Sequence, residues 1–249
     1  MSGHSKWATI KHKKGAADQA RGKLFAKLIR QVEVAAREGG GDPDMNPTLR
    51  TMFQKARDSS VPMDTIERAI KRGTGELEGV TYEQITYEGY APSGVAVMVE
   101  VLTDNRNRTG SDVRSTFSRN GGSLAEPGAV AWQFQRKGLI TVPSSVPEDD
   151  LMLVAAEAGA DDISDEDDVW LVTTPPSELQ AVRSALEQAG ITVEASDLSM
   201  VAANLVALES ATEAKRVLGL IEALEDNDDV QAVHANFDIP DQVLQAVTA

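Results

Sequence analysis

The sequence predicts an α+β chain: an N-terminal three-helix domain followed by two α/β domains, one of them a ferredoxin-like split βαβ unit inserted into the other. Three observations carry this expectation. Apolar residues recur at helical spacing as far as Gly73 and in strand-like runs from Tyr82 onward. The elements from Leu139 to Leu198 read β-α-β-β-α-β, already complete as a split βαβ unit. One helix and one strand are then left over, while the β-β-α-β stretch before Gly138 has room for both. A chain of 249 residues also exceeds the usual size of a single core.

The first helix is expected over Asp18 to Arg37, with Leu24, Phe25, Leu28, Ile29, Val32, Ala35 and Ala36 on one broad face and Gly39-Gly40-Gly41 ending it. Lys23, Lys27, Arg30 and Arg37 cluster opposite, where they face solvent or a partner. A second helix starts at Asn46 as cap with Pro47 in its first turn, buries Leu49, Met52, Phe53 and Ala56, and stops near Ser59-Ser60. A third starts at Asp64, placed as a capping box with Glu67, buries Ile66, Ala69 and Ile70, and ends at Gly73.

Strands are expected from Tyr82 to Tyr87 and from Gly94 to Leu102, the second central because both its faces are apolar. Thr109 is placed to cap a helix through Val113 and Phe117 to Gly121-Gly122, and Val130 to Phe134 reads as a strand. The insert follows as strand Leu139 to Val142, a helix from about Glu148 to Ala158, strands near Ile163 and over Val169 to Val172, a helix Ser177 to Ala189 and strand Ile191 to Leu198. Ser177 with Gln180 makes a capping box, and Gly190 closes that helix. The acidic run Asp161 to Asp168 reads as a solvated turn, because it lacks the spacing and central glycine of an EF-hand loop. A last helix, capped by Ser210 and Glu213, carries Val217, Leu218, Ile221 and Leu224. The last strand, Val230 to Ile239, is expected to return to the earlier sheet. The domains are therefore 1–75, 80–135 with 205–249, and 136–204.

The net charge of -15 hides a division along the chain. Residues 1–75 hold 15 Lys+Arg against 8 Asp+Glu, a balance of +7; residues 76–249 hold 9 against 31, or -22. A basic segment beside an acidic body points to polyanion contact by the basic part. In Lys6-Trp7-Ala-Thr-Ile-Lys11-His12-Lys13-Lys14, lysines for phosphate neutralisation surround an aromatic ring able to pack or to stack on a base. Arg21, Lys23, Lys27 and Arg30 continue the patch onto the first helix, and Arg68, Lys71 and Arg72 extend it. A second candidate patch is Arg106, Arg108, Arg114 and Arg119, whose alternative reading is a set of salt bridges with the acidic body.

Catalytic readings find little support. The chain has no cysteine, which excludes disulfides, thiol catalysis and zinc-thiolate sites. His4 and His12 lack metal or triad spacing, His234 reads as a packed or edge histidine, and the glycine clusters lack a phosphate-loop or dinucleotide pattern. No cofactor, metal or small-molecule substrate is expected. Without a secretory core or a membrane-length apolar run, the chain reads as cytoplasmic.

The separated blocks Gly3-His4-Ser5-Lys6-Trp7-Ala8, Ile10-Lys11-His12-Lys13, Arg21-Gly22-Lys23, Lys27-Leu28-Ile29-Arg30 and Ile66 to Gly73 resemble the YebC/PmpR family. So do Tyr87-Glu88-Gly89-Tyr90, Gly94-Val95-Ala96-Val97, Thr103 to Thr109 and Asn236-Phe237-Asp238-Ile239. Ala125 and Pro127 depart from the family pattern within one loop. The resemblance implies three domains, no catalysis and no cofactor, and a DNA-binding transcriptional regulator. Similar proteins, among them a mitochondrial translational activator of cytochrome oxidase, act on translation, and some are linked to ribosomes stalled at proline-rich stretches. DNA binding is the leading expectation. The alternatives are a ribosome-associated factor contacting ribosomal RNA, and a protein-binding adaptor working through the acidic body.

Overall fold

The computed structural model describes residues 18–166 and 169–248, with α+β architecture. The side chains of Lys6, Trp7, Lys11, His12, Lys13, Lys14 and Arg21 lie outside what is described.

Three helices come first: α1 (Asp18–Gly39), α2 (Pro47–Asp58) and α3 (Met63–Gly73). They bury Leu28, Val32, Ala35 and Ala36 of α1 against Leu49, Ala56, Ile66 and Ala69. Asn46 caps α2 by accepting the Leu49 N–H at 3.0 Å, while its amide donates to the carbonyls of Ala35 and Gly40, each at 2.8 Å. The start of α3 differs from expectation. Pro62 is the cap and supplies no side-chain bond; Asp64 sits inside the first turn, where its charge suits the helix dipole.

The first sheet has the order β3-β1-β2-β9, built from β1 (Glu83–Tyr90), β2 (Ala96–Thr103), β3 (Ser123–Leu124) and β9 (Val230–Ala235). β2 is antiparallel to both β1 and β9, so the last long strand joins the strands that precede the insert. On one face α4 (Arg106–Arg119) and α7 (Ala211–Glu225) press Phe117, Val217 and Ile221 onto Val95, Val97, Val99 and Val101. Gly89 is required here, because a Cβ would lie 2.7 Å from the Phe117 ring and 2.6 Å from the Ser123 carbonyl oxygen. The opposite face packs Ala96 and Met98 on Val130 and Phe134.

The inserted unit has the order β5-β6-β4-β7 from β4 (Phe134–Pro143), β5 (Asp162–Asp165), β6 (Val169–Thr174) and β7 (Ala195–Ala202), with α5 (Glu148–Glu157) and α6 (Leu179–Gln188) over one face. This is the ferredoxin-like order. The helical unit leans on it through Lys55 to Asp197 and through Arg183, which donates to Asp58 at 2.9 Å. A short parallel pair, β8 (Val206–Ala207) with β10 (Phe237–Asp238), and a terminal helix α8 (Asp241–Thr248) complete the chain.

Several local expectations are corrected. Residues 130–133 are not a strand but a tight turn into β4, because the buried Glu88 carboxylate takes the N–H groups of Gly128, Val130 and Ala131 at 2.6, 2.7 and 2.8 Å. Those donors are then lost to any ladder. α4 starts earlier than expected and is capped by Asn105; Thr109 is buried within the first turn. α6 starts at Leu179 without a side-chain cap, and Ser177 donates instead to Glu178. β7 begins at Ala195 rather than Ile191, and half of the acidic run is edge strand β5. The last strand breaks at Asn236, whose side-chain oxygen accepts the Ala96 N–H at 2.7 Å while its amide donates to Gln133. Helix α8 was not expected at all.

Candidate nucleic-acid interface

The long α1 helix keeps its basic residues on the face away from the helical core, as a period of about 3.6 residues requires. That face is not left to solvent. It lies along the loop between α7 and β9, where Asp226, Asp228 and Asp229 follow one another closely. Lys23 forms an ion pair with Asp226, Lys27 donates to the Glu225 carbonyl at 2.6 Å, and Arg30 donates to the Asp228 carbonyl at 2.8 Å and to Asp229 at 3.1 Å. Arg30 also stands 5.6 Å from the centre of the Tyr82 ring, within cation–π range. The physical cause is plain: three cations at one-turn spacing meet a loop whose carboxylates and helix-end carbonyls present the same kind of acceptors that phosphates would.

Asp229 is the centre of this contact and is only 7% exposed. Its second oxygen accepts from Thr109 at 2.7 Å, from Arg108 at 2.7 Å and from Thr103 at 3.3 Å. Burial pushes its carboxyl up, but the bonds from Thr109 and Arg108 and the charges of Arg108 and Arg30 outweigh it, and the group ionises below its ordinary range. The Lys23 ammonium is held above its ordinary value, chiefly by its bond to Asp226. Glu88 shows the same contest: burial raises it, and the three backbone N–H groups win and lower it.

The remaining basic residues separate into different environments. Arg37 and Arg72 both bind the buried carboxylate of Glu33, at 3.3 and 2.9 Å; the first pair lies within α1, and the second holds α3 to α1. Arg68 faces Asp64 at 3.9 Å, and Lys71 is exposed. Of the second patch, Arg108 is turned onto Asp104 and Asp229. Arg106, Arg114 and Arg119 are exposed and make no ion pair with another described residue. His234 is buried in β9 beside Ser199, as a packed histidine.

Sequence reading missed the acidic loop as the partner of α1. The run Glu225-Asp-Asn-Asp-Asp229 is visible in the sequence, but 198 or more residues separate it from its cations, and periodicity does not report such distances. It also missed Lys215 and Arg216, which stand on α7 near Arg119, and the exposed Trp132 beside Tyr90. Both aromatic side chains donate to the Ala129 carbonyl, at 3.1 and 3.3 Å.

Residues 5–76 match the family described as "TACO1/YebC protein N-terminal domain", and residues 82–237 match "TACO1/YebC second and third domain". A relative in Rubrobacter xylanophilus is 59% identical over 99% of both chains, and one in Halothermothrix orenii is 54% identical over 100% of this chain and 99% of its own; each is named a "Probable transcriptional regulatory protein". Among solved structures, a conserved hypothetical protein of Aquifex aeolicus superposes with a TM-score of 0.82 at 47% identity, covering 90% of this chain and 93% of that one.

Proposed function

The chain belongs to the TACO1/YebC family, and from that premise we propose that it is a nucleic-acid-binding regulator acting on DNA without catalysis. The observation that carries the reading is the surplus of 15 basic over 8 acidic residues in the first 75 positions. The relatives' names point the same way. In this reading Lys6, Lys11, His12, Lys13, Lys14, Arg21, Lys23, Lys27 and Arg30 form the phosphate-binding face, with Trp7 as a stacking surface. The acceptors now engaged by Lys23, Lys27 and Arg30 are ones a phosphate can replace. We take 1–75, 80–135 with 205–249, and 136–204 as its domains.

A second reading, a ribosome-associated translation factor, draws support from the separate location of Arg106, Arg114 and Arg119. Two basic surfaces on different elements suit a large folded RNA.

Anisotropy competition across salt between random duplex DNA, a promoter fragment and purified ribosomes tests both. Neutralisation of about five duplex phosphates gives a slope of log K against log salt near -4 to -5. A flat response defeats nucleic-acid binding. Preference for the promoter fragment supports the DNA regulator, and much tighter ribosome binding replaces it with the translation reading.

A further inference from the structure

The acidic body carries a basic cleft of its own. Where α4 ends beside α7, an open cleft of about 430 Å³ is lined by Arg119, Lys215, Arg216, Gly219, Gly121 and Pro92 among others, with no acidic residue in its wall. None of these three cations makes an ion pair or a side-chain hydrogen bond with another described residue. Arg119 in the last turn of α4 suits that helix's dipole. That accounts for one charge, and not for three converging from two helices in a segment with 9 basic and 31 acidic residues. The comparable cleft at α1, about 510 Å³, holds Lys23, Arg30 and Arg108 together with Asp104, Asp112, Asp226, Asp228 and Asp229.

Gly219 adds an independent observation. It lies inside the 15-residue helix α7, where glycine is the weakest helix former after proline. Packing does not demand it, because a Cβ at this position would meet nothing within 4 Å. It lines the same cleft. A bare backbone on the wall of a basic cleft serves the close approach of a ligand.

We propose that the Arg119–Lys215–Arg216 cleft is a second phosphate site, which seats the sugar-phosphate backbone of a nucleic-acid strand, for which a mixed-sequence RNA serves as the probe. The assignment rests on the nucleic-acid reading above and adds a site on the opposite part of the chain. Arginine recognises phosphate through paired N–H donors. An exposed cluster of this kind holds a lone anion weakly. A strand anchored elsewhere on the molecule presents its phosphates at high effective concentration.

The test uses the full chain with a labelled mixed-sequence RNA, followed by anisotropy at several salt concentrations. Arg119→Glu with Arg216→Glu is expected to weaken binding roughly tenfold or more, and to flatten the salt slope by about one for each phosphate no longer neutralised. Gly219→Ala is expected to melt no lower than the parent and still bind more weakly, a combination a merely structural glycine would not give. Arg136→Glu, a charge reversal at an exposed position of β4 that is not part of the cleft lining, is expected to cost less than Arg216→Glu alone. Should the double reversal melt early, Arg119→Gln with Arg216→Gln carries the same comparison. A folded double variant with parental affinity and slope overturns the cleft and leaves nucleic-acid binding standing. An unmodified chain that binds neither RNA nor DNA overturns the reading beneath it. Release of RNA by inorganic phosphate at matched ionic strength overturns the strand assignment in favour of a free anion.

Discussion

The basic face of α1 and the basic cleft between α4 and α7 carry similar charge and stand in opposite conditions. Lys23, Lys27 and Arg30 are answered by the chain's own Asp226, Asp228 and Asp229 and by helix-end carbonyls. Arg119, Lys215 and Arg216 line a cleft without a carboxylate. Positive charge counted along a sequence is therefore not the same as positive charge available to a ligand. The more basic segment has its described α1 cations satisfied from within, and the acidic body keeps a smaller set open.

The largest effect that can break this comparison lies at Asp229. Asp229→Ala removes the acceptor shared by Thr103, Thr109, Arg108 and Arg30, leaving two arginine charges and the buried Thr103–Thr109 hydroxyl pair without their anion. A stability loss of about 2–4 kcal/mol is expected in urea denaturation, together with higher affinity for polynucleotides as Arg30 is released. An unchanged midpoint would show that Asp229 does not hold α1 in place.

Acid should act on this contact and on the turn that Glu88 holds. Asp229 and Glu88 both ionise below their ordinary values of 3.8 and 4.5, so the unfolded chain takes up protons first as pH falls. Their contribution is complete above those ordinary values and is lost as pH drops through the lower folded ones. Thermal melting followed from about pH 6 to pH 2 should decline in this window, and Asp229→Asn should flatten the decline.

Asp226→Asn is a gentler probe, since its pair with Lys23 is exposed. The melting temperature should hold, and affinity for polynucleotides should rise by less than about fivefold. No rise would mean that the pairing withholds nothing. The smallest effect is expected at Arg114, exposed on α4 outside the cleft. Arg114→Glu should weaken RNA binding less than Arg119→Glu, and equal losses would erase the distinction between cleft and general surface charge.

Legibility in the sequence followed the range of the forces. Asn46 was recognisable as the α2 cap because it binds Leu49 three residues away, and β2 as a central strand because both its faces are apolar. Thr109 was misread as a cap and residues 130–133 as a strand for the opposite reason. The partners that decide them, Asp229 and Glu88, lie 120 and 42 residues away. The candidate site divides likewise: basic α1 was visible, and its acidic partner was not.

By itself the sequence determined the helical and strand periods, the order of elements, the incomplete first sheet that takes back the final strand, and the concentration of positive charge near the N-terminus. These follow from local sterics, from apolar patterning and from counting. Only the tertiary structure decided which cations are compensated and which are open. Ion pairing depends on a few ångströms between groups nearly two hundred residues apart, and that proximity exists only once the sheets and helices have packed.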